Sequence, residues 1–298
     1  LFCFIILILD GFYQYFTNFN IFGLPKLGTR VSSFFKDELI LGSYISRLMP
    51  IFFGLIFYLY KIDLKIIVFS SIIFILTDIL IYLSGERSAF FYLILFIILL
   101  IFLTSFNFIR LIAFSISLIL IFFISLSSDG IRERMIDKTL KQTSILNGTP
   151  NAFSIQHQVV YVSALRIFKD NPLFGIGPKV FREECKKQKY QVLSDQDGSI
   201  NGCQTHPHNS YVQLLAETGL LGVIPIISFF VLLNYLFVKQ FYNLRFKKIK
   251  LYDDSTICLF IALYISLWPI IPTGNFFNNW LSIIYYLPFG FLLNKFYK

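Results

Sequence analysis

Charge is what this chain has least of: 14% of its 298 residues are Asp, Glu, Lys or Arg, against 56% hydrophobic. That excludes a soluble domain, because a single core stops growing at roughly 250–300 residues and cannot hide so much apolar surface. There is no basic soluble segment to carry the net charge of +9, so nucleic-acid binding is excluded too. No charged leader precedes the opening run LFCFIILIL and no small-residue cleavage site follows it, so the run is not a signal peptide. Starting at Leu1 inside an apolar run, the chain reads as a piece of a longer protein with further spans upstream. No internal repeat is evident, which weighs against a transporter of paired bundles. What is abundant is Phe, with 37 copies, and long runs of Ile and Leu.

These runs set the fold class. A membrane span needs roughly 17–25 mostly apolar residues. Windows near 39–60, 66–83, 88–106, 111–127, 219–238, 256–272 and 280–294 meet that condition, with a partial span at the start. Each is apolar all round rather than along one stripe. Alternating them collects Lys61, Lys65, Arg110, Lys239, Arg245, Lys247, Lys248, Lys250, Lys295 and Lys298 on one side. The positive-inside rule makes that side cytoplasmic. The segments 10–38, 84–87, 128–218 and 273–279 then face out. The expectation is an all-α polytopic membrane protein of about seven full helices plus one partial. Its regions are N-terminal spans (1–127), a large, partly helical periplasmic loop (128–218) and C-terminal spans (219–298).

A loop as long as 128–218 needs structure or function of its own. Asp129 reads as N-cap of a short helix, IRERMIDKTLKQ. Asn147-Gly148 reads as a turn, and Thr149-Pro150 opens a second helix to about Lys169. Ile155, Val159, Val162 and Leu165 share one face of it, and His157, Tyr161, Ala164 and Phe168 another. His157 and Arg166, nine residues apart, fall on opposite faces. The loop GIGP (175–178) lacks the preceding strand and third glycine of a dinucleotide site, so close backbone packing is the better reading. For Cys185 and Cys203 three arrangements stand: a disulfide worth about 3 kcal/mol, metal binding by Cys203, His206 and His208, or free thiols. Cys3 and Cys258 lie in spans and read as inert apolar residues.

The segment HNSYVQLLAETGLLG (208–222) stands at the C-terminal end of this polar stretch. It places His208 at a helix start, where the dipole disfavours imidazolium and a neutral ring can accept a proton. The same helix end offers N–H groups to a phosphate. Capping or a backbone hydrogen bond is the plainer role for this histidine. Arg87, in SGERSAF (84–90), has a guanidinium suited to a diphosphate, with interfacial snorkelling as its plainer role. Arg30 and Arg47 are further cations, and Arg47, inside a span, needs a polar neighbour. Asp78, also within a span, is expected to face away from Arg87.

In order, SGERSAF, the long outer loop, NPLFGIG (171–177) and the pattern H-N-x9-G-x-x-G over 208–222 resemble the O-antigen ligase and polymerase superfamily of integral-membrane glycan transferases. The resemblance implies transfer of a glycan from an undecaprenyl-diphosphate donor to lipid A–core or another acceptor hydroxyl at the periplasmic face of the bacterial inner membrane. A polymerase joining lipid-linked repeat units is the alternative, and a lipid-linked glycan transporter the alternative from another class. The implied partners are that donor, a glycolipid or glycan acceptor and membrane lipids, with no cofactor and no metal. His208 and Arg87 would be catalytic. Arg30, His157, Asn209 and Arg166 would bind substrate, His157 standing where the family often has an arginine. Arg132, Arg134 or Arg166 could supply the missing charge instead.

Overall fold

The computed structural model describes residues 2–61, 63–105, 107–142, 153–193 and 201–296, and among them there is no β-strand. The N-terminal helices are α1 (Phe2–Thr17), α2 (Leu41–Leu59), α3 (Leu64–Leu83), α4 (Arg87–Leu103) and α5 (Asn107–Ser127). Three short segments follow: α6 (Asp129–Arg132), a π-helical turn (Glu133–Asp137) and α7 (Lys138–Gln142). Then come α8 (Ile155–Asp170), α9 (Phe181–Glu184), α10 (Ser210–Tyr242), α11 (Asp254–Ser266) and α12 (Asn279–Phe296). Among the described residues, four stretches are long and apolar enough to cross a membrane: Leu41–Leu59, Leu64–Leu83, Phe108–Ser127 and Ser210–Lys247. The expected span 256–272 is shorter, because α11 stops at Ser266. Pro269 and Pro272 account for this, since each forces its predecessor out of the helical region.

The chain divides into two compact units. The first comprises Leu1–Thr139, Phe237–Ser266 and Pro288–Lys298, and the second Leu140–Leu236 and Leu267–Leu287. In the first, α2 packs on α11 and α3 on α5. Gly54 permits the former contact, for a Cβ there would meet Cys258 Cβ at 3.1 Å. Charges inside these helices are answered by neighbours, as a low-dielectric setting demands. Asp78 is engaged by α5: its oxygens take a bidentate pair from Arg110 at 2.8 and 2.9 Å and the Ser117 hydroxyl at 2.9 Å. Arg110 is therefore a fully buried partner within α5 and not the loop cation expected from topology. Arg47 donates to the Ser43 carbonyl at 3.3 Å and lies over the Tyr92 ring at 4.4 Å.

Two local expectations need correction. Ser128 occupies the cap position of α6, and Asp129 is its first helical residue, paired with Arg132 at 2.9 Å. A first-turn carboxylate gains from the dipole and from an (i, i+3) cation without capping. The turn at Asn147-Gly148 and the cap at Thr149 lie outside the described residues. In the described part α8 starts at Ile155, with the Ser154 side chain accepting from the His157 amide. The buried side of α8 coincides with neither grouping: Val159, Val160, Tyr161, Ala164 and Ile167 are inside, whereas Ile155, Val162 and Leu165 are exposed. The partners decide this, since the core of the second unit gathers Val160, Ala164 and Ile167 with Phe181, Cys185, Tyr190 and Ala216. Cys185 and Cys203 form a disulfide beside that core, with Cα atoms 5.2 Å apart.

Candidate active site

The head of α10 is built by two consecutive residues, His208 and Asn209. Asn209 is the cap: its Oδ1 accepts from the amides of Tyr211 and Val212 at 3.0 and 3.1 Å, and its Nδ2 donates to the Pro269 carbonyl at 2.6 Å. Capping thus falls to Asn209, leaving the His208 ring available. His208 itself has φ 54°, a left-handed conformation uncommon for a side chain of this size. Its carbonyl is held by the Thr273 amide at 2.9 Å.

The sequence contains only three histidines, and in the second unit they come together. The His208 ring lies 4.1 Å from that of His206 and 5.8 Å from that of His157. His157 Nδ1 meets the Ser154 hydroxyl at 2.7 Å, and His206 Nδ1 meets Thr205 Oγ1 at 3.0 Å. Among the described residues, no side chain hydrogen-bonds the ring of His208. Burial holds the His208 imidazolium below the ordinary imidazole range, so the ring is neutral at pH 7. His206 is pushed down to about 4, first by burial, then by His208, with the Thr273 backbone opposing.

This depression sets an acid sensitivity. The unfolded chain takes up the His206 proton near pH 6.5, the folded chain only near 4. Stability is therefore complete above about pH 6.5 and is lost as pH falls toward the folded value, by about 3 kcal/mol in all. Thermal unfolding of the detergent-solubilised protein at pH 7 and 4.5 should show a smaller drop for His206→Gln than for wild type. Equal drops would contradict this account of His206.

The two glycine-rich motifs pack on each other. Ile176 and Gly177 amides donate to the carbonyls of Ala216 and Glu217 at 3.1 and 2.8 Å, and Leu220 and Leu221 amides to those of Pro172 and Leu173 at 2.8 and 3.2 Å. Gly175 has φ +65° and a Cβ there would lie 2.4 Å from the Glu217 carbonyl carbon. Gly219 has φ +62° and would lie 2.4 Å from Leu173 in the same way. Both positions need glycine for conformation and for space. NPLFGIG is thus a backbone clamp on the middle of the second motif, in line with the packing reading of GIGP.

A second feature belongs to the first unit. The turn Ser84-Gly85 is gripped by two guanidinium groups: Arg30 Nε donates to the Ser84 carbonyl and Arg134 Nε to the Gly85 carbonyl, each at 2.8 Å. Any Cβ on Gly85 would touch both arginines at 3.0 Å. Arg134 is close enough to Arg30 and Arg87 to repel both. Arg30 is pushed down to about 10, first by burial and then by Arg134, with Glu86 opposing. The Glu86 oxygens face the first amides of α2, accepting from Gly42 at 2.7 Å and from Ser43 N and Oγ at 3.1 and 2.6 Å. Burial raises its pKa as well. The guanidinium groups of Arg30, Arg87 and Arg134 thus stand beside a single turn, with Arg134 close enough to repel the other two.

The remaining expectations separate clearly. Arg166 is exposed and donates to the Gln191 carbonyl at 2.9 Å, and Arg132 pairs with Asp129. Of the three arginines considered as substitutes at the His157 position, only Arg134 joins Arg30 and Arg87. Cys203, held in its disulfide, is not a metal ligand. Among the described residues no group of three His, Cys, Asp or Glu is arranged to hold a metal ion. Sequence reasoning missed Gln213, Glu217 and the segment 267–276 that carries Thr273. The overlooked signal was the four-residue spacing of Asn209, Gln213 and Glu217 in an otherwise apolar helix.

Apolar helices that carry a histidine cluster and an arginine cluster define an integral-membrane protein with polar chemistry built onto its spans. The particular family follows from comparison: a model described as O-antigen ligase matches residues 50–227, and the chain belongs to that family of membrane glycosyltransferase-type enzymes. The matched range contains Arg87, Arg134 and the three histidines. No curated protein matches the chain.

Proposed function

We propose that the protein is a ligase-type glycosyltransferase of the bacterial inner membrane, with seven full spans and 128–218 as its periplasmic loop. It moves a glycan from undecaprenyl diphosphate to a lipid A–core or other acceptor hydroxyl at the periplasmic face. The observation that carries this reading is the neutral His208 ring, unbonded to any described side chain, at the head of the family motif. In the reaction the acceptor oxygen attacks the anomeric carbon, the bond from that carbon to the diphosphate oxygen breaks, and His208 takes the hydroxyl proton. Configuration inverts. Arg87, with Arg30 and Arg134, binds the diphosphate and stabilises it as it leaves, so this route needs no metal. His157 contacts the sugar or phosphate, and Asn209 acts by holding His208 in place. Arg166 is not assigned to substrate.

Deletion in the native host, followed by electrophoresis of surface glycolipids, tests the assignment. Loss of all long chains is expected. Surviving glycolipids with a single repeat would make the protein a polymerase, and unchanged chains would remove both readings.

A further inference from the structure

Beyond Asn209, the transfer chemistry makes no use of a line of buried polar side chains at the head of α10. Asn209, Gln213 and Glu217 are four residues apart and so share one helix face. They are 4%, 0% and 1% exposed. Buried carboxamides and carboxylates are costly unless bonded, and each of these is bonded outward. Glu217 Oε1 accepts from the Phe181 amide at 3.0 Å. Gln213 Nε2 donates to Glu217 Oε2 and to Asn275 Oδ1, both at 2.8 Å, and its Oε1 accepts from the Phe276 amide at 2.9 Å. Asn209 holds the Pro269 carbonyl, and Tyr211 holds the Leu267 carbonyl at 2.7 Å. The irregular segment 267–276 is thereby laced to the first turns of α10. Its Thr273 amide is the group that holds the His208 carbonyl.

We infer that Gln213 is a positioning residue for His208. It fixes Asn275 and Phe276, so that Thr273 stays against His208 and keeps that residue in its left-handed conformation, which sets the direction of the imidazole. A residue with φ 54° holds that conformation only when its surroundings impose it. Gln213 touches no substrate, and this role rests on the reading of His208 as the base.

The test uses purified full-length chain with a lipid-linked donor and a glycolipid acceptor. Gln213→Met keeps the volume and removes all three hydrogen bonds. The expected result is a fall in kcat of about 10²-fold, the effect of roughly 1 Å of misplacement. KM for the donor should change less than about twofold, because only the transition-state geometry is disturbed. The acidic limb of the pH–rate profile should also move up toward the ordinary imidazole value as the ring loses its enclosure. Asn275→Ala, which breaks only one arm, should move both quantities in the same direction by less, and serves if Gln213→Met does not fold. A wild-type rate in both variants overturns the inference. So does a reduced rate with the limb unmoved, which marks general destabilisation. Should His208→Ala keep the wild-type rate, the base assignment itself fails, and that outcome is distinct from the failure of Gln213 alone.

Discussion

His208→Ala is expected to lower glycan transfer by about 10²–10⁴-fold, the range for losing a positioned general base, while the protein still accumulates in the membrane. The fold should survive because the ring of His208 makes no hydrogen bond to any described side chain, and its backbone bond to Thr273 is kept by alanine. The pH dependence makes the prediction specific. A base must be neutral, and burial holds the imidazolium of His208 below the ordinary range. Wild-type activity should therefore persist to a pH below about 6.5 before it falls. In the alanine variant the residual rate should lack that limb. His206 and His157 are the other titratable groups beside the ring, so the profile of His206→Gln is the natural control. Its limb should remain if His208 is the base. Retention of the wild-type rate and profile by His208→Ala would remove His208 from the chemistry.

Much of this site could be read from the sequence, and what escaped did so for identifiable reasons. The helices follow from runs of Ile, Leu and Phe, and each of the seven apolar windows overlaps a helix of the structure, four of the described stretches being long and apolar enough to cross a membrane. Helix ends were harder, because the prolines at 269 and 272 interrupt a run that hydropathy alone continues. Arg110 shows the limit of counting charges. It lies at the edge of an apolar window, so sequence assigns it to a loop, yet Asp78 draws it fully inside. The same limit applies to α8, where the period groups Ile155, Val159, Val162 and Leu165 and the partners bury only Val159 of these. Packing of Ala164 and Ile167 against Phe181 and Tyr190 depends on contacts distant in sequence, which periodicity does not carry. Motif spacing did better: it placed His208 beside the helix start and gave the GIGP loop its packing role. It could not foresee that His157, 51 positions earlier in the chain, shares a cluster with His208, or that Arg134 belongs with Arg30 and Arg87. Those facts depend on tertiary structure.

Arg87→Ala should cost about 10²–10³-fold in transfer, comparable to removing one donor that stabilises charge in a transition state. The size of the effect follows from the electrostatics of its surroundings. Three guanidinium groups gather near the Gly85 turn, Arg134 repels the other two, and the Glu86 carboxylate is engaged by the amides of Gly42 and Ser43. On the proposed function, a bound diphosphate would relieve that repulsion, and the charge developing on the leaving oxygen would be met by donors already in place. Because part of this attraction is present before reaction, KM for the donor should rise while kcat also falls. Arg87→Lys should recover only part of the loss, since an ammonium keeps the charge but not the paired donors of the guanidinium. Arg134→Ala tests the cluster as a whole. It removes a positive charge together with its hydrogen bond to Gly85, so donor affinity should fall even though Arg87 is intact. If Arg87→Ala and Arg87→Lys both transfer glycan at the wild-type rate with unchanged KM, the diphosphate is not held here, and the arginines serve the fold alone.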